Sequence, residues 1–257
     1  MKTILATPLV VSLAIAAAEA GPPFQWSTGA GGNGHWYRVV DETCTDWASA
    51  KAAAEAVGAH LATIGSIEEH RFVRELSPFF AVWIGLYQDR AAPDFSEPAG
   101  GWRWVTGEPL AFTNWYQPEE PNNINRGEDF GHMNAPWLAG GQWNDHRGEA
   151  CFAYAIEWSA DCNGDGVVDF GQIRNGQLTD GDSDGVPDCC EAGTECIVNA
   201  CPGDVTGNGG VDPIDLTALL VGWGTDGNGE FDSDRNDDGI VDADDLLIVL
   251  AGWGPCP

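Results

Sequence analysis

Positive charge is the scarcest feature of this chain of 257 residues: 11 lysines and arginines stand against 40 aspartates and glutamates, a formal net charge of −29. That balance excludes nucleic acid and anionic membrane surfaces as partners, because every phosphate contact would meet a repulsive field. Cations are the natural counterpart. Long apolar runs are missing too, except at the start. There "MKTILATPLVVSLAIAAAEA" gives a lysine, an apolar stretch and the small-x-small Ala18-Glu19-Ala20, which reads as a signal peptide over 1–20. Nothing later could span a membrane. A secreted or cell-surface protein is expected, its mature chain beginning at Gly21.

Catalytic patterns are absent as well. His35, His60, His70, His132 and His146 show neither a zinc spacing nor a nucleophile partner. Glu119 and Glu120 are adjacent, whereas a glycosidase needs two carboxylates set apart across a cleft. The chain reads as a non-enzyme. Cysteine is not lacking: positions 44, 151, 162, 189, 190, 196, 201 and 256 make an even number, and in an exported chain pairing is the default.

The acids are unevenly placed. Residues 159–257 carry 21 of the 40, with Arg174 and Arg235 as their only bases, so a boundary falls near Trp158. A twelve-residue calcium loop needs oxygens at positions 1, 3, 5, 9 and 12 and a glycine at 6. "DRNDDGIVDADD" supplies Asp234, Asn236, Asp238, Gly239, Asp242 and Asp245. "DVTGNGGVDPID" supplies Asp204, Thr206, Asn208, Gly209, Asp212 and Asp215, thirty residues earlier, and both run into apolar helical stretches ending Gly-Trp-Gly. With a threonine and an asparagine for two carboxylates, the earlier loop is expected to bind more weakly. Two further stretches fit: Asp180, Asp182, Asp184, Asp188 and Glu191, and Asp161, Asn163, Asp165 and Asp169, with Gln172 where the last acid would stand. Neither of these two is followed by a convincing amphipathic helix.

The paired thirty-residue units resemble the two halves of a dockerin domain. The resemblance implies a small all-α calcium-binding module over 201–257, a Cys201–Cys256 clasp and a cohesin-like protein partner; a calcium-stiffened module with no partner is the alternative. Residues 159–200 resemble the aspartate-rich calcium repeats of extracellular stalks. They are expected to form a calcium-binding linker in which ions and a link from Cys162 to Cys189 or Cys190 stand in for a core.

Residues 21–158 mix helix and strand signals. "TDWASAKAAAEAVGAHL" reads as a helix capped by Thr45 or Asp46 and stopped at Gly58, and Ser66 with Glu69 forms a capping box for a second. "AVWIGLYQ", "GWRWVTG" and "CFAYAIEW" read as strands. More than forty residues of weak periodicity lie between the last two, a length that asks for something other than a core to hold it. "EEPNNINRGED" offers the oxygens calcium takes, six to eight at a time. Glu120, Asn122 and Glu128 are candidate ligands there, and Asn144 and Asp145 of "GGQWND" could close the site.

The order of "WIGL", "FTNW", "EPNN", "ED" and "WND" is similar to that of a C-type lectin domain. The fold this implies is α+β, with two helices, antiparallel sheets and a long calcium-held loop, and with Trp83 to Leu86 as core. The resemblance implies further that Glu120, Asn122, Glu128, Asn144 and Asp145 hold one Ca2+ and a sugar together. Two vicinal hydroxyls would enter the ion's shell while acid oxygens accept from them and amide nitrogens donate. Glu-Pro-Asn goes with mannose, N-acetylglucosamine, glucose or fucose, and the Glu120–Pro121 bond is expected to be cis. Ala54, Phe130 and Ala155 stand where the family has cysteines. Cys44 and Cys151 would bridge if the first and last strands pair antiparallel, and Phe130 would substitute packing for the lost link. A further ion at Glu128 and Asp129 is conceivable. The alternative reading keeps the fold as a scaffold whose calcium is structural and whose surface binds protein.

Overall fold

The computed structural model describes residues 22–77, 81–124, 126–134, 139–198, 201–227, 229, 231, 233–236 and 238–256. The expected signal peptide lies outside the described residues. In chain order the first part contains β1 (Phe24–Gln25), β2 (Trp36–Thr45), α1 (Trp47–Glu55), β3 (His60–Leu61), α2 (Ile67–Leu76), β4 (Val82–Gln88), β5 (Trp102–Trp104), β6 (Phe130–Met133), β7 (Trp143–His146) and β8 (Phe152–Trp158). Asp46, rather than Thr45, caps α1 by accepting the Ser49 N–H, and Ser66 caps α2 by accepting that of Glu69. Each cap satisfies a donor that the first helical turn leaves orphaned.

The strands form one sheet in the order β1-β2-β8-β4-β6-β7, with β3 beside β8 and β5 beside β4. β2 and β8 pair antiparallel, Trp36 opposite Trp158 and Tyr37 opposite Glu157, which draws the two ends of this part together. The same pairing carries Cys44 to Cys151, and the two form a disulfide. The sheet is not wholly antiparallel, as the resemblance implied: β4 runs parallel to β8, with Val82 opposite Ala153. A parallel pair needs a long crossover, and the chain from 89 to 151 supplies it. That crossover also contains β6 and β7, which weak periodicity in the sequence had concealed.

Alternation along β4 splits the core into two layers. Val82, Ile84 and Leu86 join Tyr37, Trp102, Trp104 and Trp143 in one, while Trp83 joins Trp47, Leu61, Tyr154, Ile156 and Trp158 in the other. Ala54 and Ala155 are wholly buried, and the Phe130 ring lies 4.5 Å from that of Trp47, so apolar packing occupies the positions that lack cysteine.

The segment expected to be a linker is folded. Its two loops each lead into a short helix, α3 (Asp169–Arg174) and α4 (Asp188–Glu191), where no convincing amphipathic helix was expected. Cys162 pairs with Cys190 and Cys189 with Cys196. Val168 joins the second core layer, and the Phe170 ring stacks on Trp158 at 4.0 Å. Such contacts could not be read beforehand because they join residues far apart in sequence.

Beyond it come β9 (Gly210–Val211), α5 (Pro213–Gly222), α6 (Ala243–Ala251) and β10 (Gly254–Pro255), closed by a Cys201–Cys256 disulfide. Val205, Val211, Ala218, Leu219, Val241 and Val249 make a small core of their own. The expectation of an all-α unit is corrected by the antiparallel pairing of β9 with β10. The disulfide beside it, with the Cys256 N–H donating to the Gly209 carbonyl at 3.1 Å, brings those ends together.

Phe130→Ala is expected to lower stability by about 2 kcal/mol, a half-buried aromatic losing its partner and leaving a partly refilled cavity. Urea unfolding followed by tryptophan fluorescence measures it, and a change under about 0.5 kcal/mol would show that Trp47 does not depend on this ring.

Candidate calcium and sugar site

An aromatic floor holds the long loop at its start. The Trp143 N–H donates to the Asn114 carbonyl at 2.7 Å and the Tyr116 N–H returns to the Trp143 carbonyl at 2.9 Å. The Trp143 indole is wholly buried and its Nε1–H donates to His70 Nδ1 at 3.2 Å. Burial, with Arg74 and Arg71 near, lowers the His70 pKa to about 4, so near neutral pH that ring is uncharged and its nitrogen can accept. The Trp102 and Trp115 rings are 4.8 Å apart beside it.

Two residues further along β7, on the same face as Trp143, stands Asp145. It is only 1% exposed, and its two oxygens accept the backbone N–H groups of Asn122 at 2.9 Å and Asn123 at 2.8 Å. One buried carboxylate thus clips the loop to the strand. Asn123 takes a left-handed turn, φ 47°, and its Oδ1 accepts the Glu128 N–H at 3.2 Å. Asn122 Oδ1 accepts the Ile124 N–H at 2.7 Å. The Glu120–Pro121 bond is cis, as expected, and so is Gln117–Pro118.

Glu120 is the strained member electrostatically. Burial first, then a hydrogen bond to Asp145 and the charges of Asp145, Glu128 and Glu119, push its pKa up to about 8. Its Oε2 is buried with no hydrogen-bond partner. Glu128 is buried nearby. On the opposite face of β7, Asn144 Nδ2 donates to the Asp145 carbonyl at 2.8 Å and lies 3.1 Å from Nε2 of buried His132, its cross-strand neighbour on β6. The amino end of that amide is committed, which leaves its oxygen for another partner.

Asp145 thus meets Glu120 and the backbone of Asn122, Asn144 reaches the Asp145 carbonyl from the other face of β7, and Glu128 is close enough for its charge to act on Glu120. A half-buried cluster of acids with an orphaned carboxylate oxygen is costly unless a cation sits among them, and hard oxygen ligands suit Ca2+. Asp129 is not brought in. Arg90 donates to both its oxygens, at 2.7 and 3.0 Å, a cation already beside the carboxylate named for a further ion. Sequence reasoning missed His132 and His70, the residues that contact Asn144 and Trp143; alternation through "FGHM" and "WNDH" was the signal for the first, while the second sits on α2 with no local signal.

The acidic loops are built alike. Asp204 accepts from Asn208 and Gly209, and Asp234 from Asp238 and Gly239, at positions 5 and 6 of each. Asp215 and Asp245 are wholly buried and close their loops through capping boxes with Asp212 and Asp242. Thr206 adds its hydroxyl to Asp215 at 2.8 Å, while Asn236 accepts from Asp238. In the loop at 180, oxygens of Asp180, Asp182 and Asp184 lie within 4.8 Å of one another. Asp188 accepts the Gly181 N–H, and the charges of Asp182 and Asp184 raise the pKa of Glu191. In the loop at 161, Asp161 accepts from Gly164, Asp165 and Gly166, Asn163 accepts from Asp165, and Gln172 donates to Asp165 at 2.7 Å in place of the missing acid.

Residues 43–155 match the lectin C-type domain family. Over 100 residues the chain is 40% identical to C-type lectin domain family 17, member A, of Homo sapiens, which covers 38% of this chain and 23% of that protein. Over 134 residues it is 31% identical to asialoglycoprotein receptor 2 of Rattus norvegicus, covering 51% and 40%. The chain thus spans less than half the length of these relatives. A solved structure, the cow C-type carbohydrate-recognition domain of CD23 in the presence of GlcNAc2Man3 oligosaccharide, is 29% identical over 50% of this chain and 91% of that one, with a TM-score of 0.41.

A calcium ion bound at Glu120 would have to displace the proton that its raised pKa retains near neutral pH. Because the folded pKa of Glu120 is raised, the ion-free fold is more stable below the ordinary carboxylate range and loses that advantage as pH rises toward about 8. Calcium affinity should run the other way, falling as pH drops below about 8. Calorimetry at pH 7 in buffers of different ionisation heat should show about one more proton released by the native chain than by Glu120→Gln; equal release from both would remove Glu120 from the site.

Proposed function

We propose that this chain, which carries a C-type lectin domain over residues 43–155, is a secreted, calcium-dependent carbohydrate-binding protein. The family is one of non-enzymatic carbohydrate-binding domains. The observation that carries the calcium reading is the buried, unpartnered Oε2 of Glu120 beside Asp145. Glu120, Asn122, Glu128, Asn144 and Asp145 would hold the ion, and the ion, when bound, supplies open coordination positions for two neighbouring sugar hydroxyls.

The chain's own residues then set orientation. Carboxylate oxygens of Glu120 and Glu128 would accept from the hydroxyls and the Asn122 amide nitrogen would donate, while Asn144, its amino end committed, offers its oxygen. Asp145 fixes the loop's backbone to β7, so the acceptors are held before sugar arrives. This ordering, acid then amide across Pro121, fits hydroxyls of the mannose, N-acetylglucosamine, glucose or fucose type. Four disulfides fit export to an oxidising compartment, and among the described residues no helix is long and apolar enough to cross a membrane.

For residues 201–257 the reading is a dockerin-like tether with a cohesin-like partner. Leu220 and Val221 of α5 with Trp223 just after it, and Leu247 and Leu250 of α6 with Trp253 just after it, are exposed apolar residues that a protein surface could cover. Capture of the full chain by purified cohesin modules, lost on Trp223→Ala with Trp253→Ala, tests this; no capture by any would leave the unit a stiffened end-piece.

A glycan array probed with the full chain, with calcium, with chelator and as Asn144→Ala/Asp145→Ala, tests the sugar site. Binding to mannose-type or N-acetylglucosamine-type glycans should vanish with chelator and with the double variant. Absence of binding by the folded, calcium-loaded native chain would leave the calcium structural. Glu120→Gln with Asn122→Asp should move the ranking toward galactose, and an unchanged ranking would take specificity away from this loop.

A further inference from the structure

Helix α3 is too short to stand alone. Six residues lie far below the length at which an isolated helix persists, and its N-cap, Val168, contributes no side-chain hydrogen bond. It is nevertheless closely seated. Phe170 stacks on Trp158 and meets Trp36 edge-on at 5.7 Å, and a Cβ on Gly171 would stand 2.8 Å from Trp36 Nε1. These contacts lie on β2 and β8, whereas the sugar site is on β7, at the far end of the strand order. The other end of α3 reaches the C-terminal unit: Arg174 pairs with Asp244 of α6 at 3.5 Å, and just beyond it a Cβ on Gly176 would fall 2.2 Å from the Arg235 carbonyl oxygen.

The start of the helix is built from the calcium-type loop. Asp169, only 2% exposed, donates its N–H to the Ala160 carbonyl at 2.8 Å, and its Oδ2 accepts the Cys162 N–H at 2.9 Å. Its Oδ1 is buried without a hydrogen-bond partner. Burial, together with the charges of Asp161 and Asp165, holds the carboxyl above the ordinary aspartate range. An orphaned carboxylate oxygen facing two like charges drives the residue outward unless a cation offsets it. Val168 and Phe170, which anchor the segment, flank that residue directly.

We propose that a calcium ion held by Asp161, Asn163, Asp165 and Asp169 seats α3 on the lectin-domain sheet and so fixes the C-terminal unit against it. This rests on the reading of the loop as a calcium site and adds a mechanical consequence: the ion sets the distance and direction between the sugar site and whatever the C-terminal unit grips. The second loop adds a contact of its own, since a Cβ on Gly185 would stand 2.3 Å from the Val57 carbonyl, but its ion cluster does not include a residue of the α3 dock.

The test compares the full chain with Asp161→Asn/Asp165→Asn and with Phe170→Ala, all in saturating calcium. Native mass spectrometry counts ions, small-angle X-ray scattering reads the maximum dimension, and near-ultraviolet circular dichroism confirms that the tryptophan core is intact. The acid-to-amide variant should lose one calcium and show a longer maximum dimension. Phe170→Ala should lengthen in the same way while keeping its full complement of ions. Loss of one ion with no change in dimension would overturn the proposal and leave calcium binding standing. No ion lost would overturn the site itself, and an unaltered dimension in Phe170→Ala would show that α3 is not the seat.

Discussion

The structure depends on how carboxylate oxygens are satisfied when few cationic side chains are available. With 40 acids and 11 bases, arginine and lysine cannot serve them all, and backbone N–H groups take most of the load. Asp145 receives two, Asp161 three, and Asp245 three from its loop and helix start. Where the supply stops, an oxygen is left over. Glu120 Oε2 and Asp169 Oδ1 are in that position, one at the proposed sugar site and one at the start of α3. Both are places where, on the proposed reading, an ion would complete what the polypeptide begins.

The sheet suits this because β7 divides its labour between faces. Trp143 and Asp145 point to the buried side, the first anchoring the loop's floor and the second its tip, while Asn144 faces His132 across the strand pair. A buried aspartate is tolerable there because the chain it clips supplies its donors. The loop can consequently be long, and rich in polar groups, without a core of its own.

The acidic half solves the same problem by repetition. Each twelve-residue loop folds around its first aspartate, and in the two C-terminal loops the ninth residue, Asp212 or Asp242, caps the helix while the last, Asp215 or Asp245, completes the capping box, so ligand spacing and helix initiation are one local device there. Small cores become sufficient because disulfides and loop geometry restrict the chain. Where a loop sits against the sheet, as at Val168 and Phe170, a locally determined turn gains a tertiary role.

Much of this was readable in the residues themselves. The turn geometry of the four acidic loops and both helix caps follow from local chemistry, since loop spacing and capping act over a few neighbours, while the core role of "WIGL" was implied by the resemblance. Strands β6 and β7 escaped because their polar residues serve the site, which masks the apolar alternation that identifies a strand. Only the tertiary structure decided the parallel pairing of β4 with β8, the pairing of Asp129 with Arg90, the choice of Cys190 over Cys189 for Cys162, and the seating of Phe170 on Trp158 and Trp36. Most of these join residues distant along the chain, and which of several chemically equivalent partners meet is set by the packing of the whole sheet, not by any spacing within a motif.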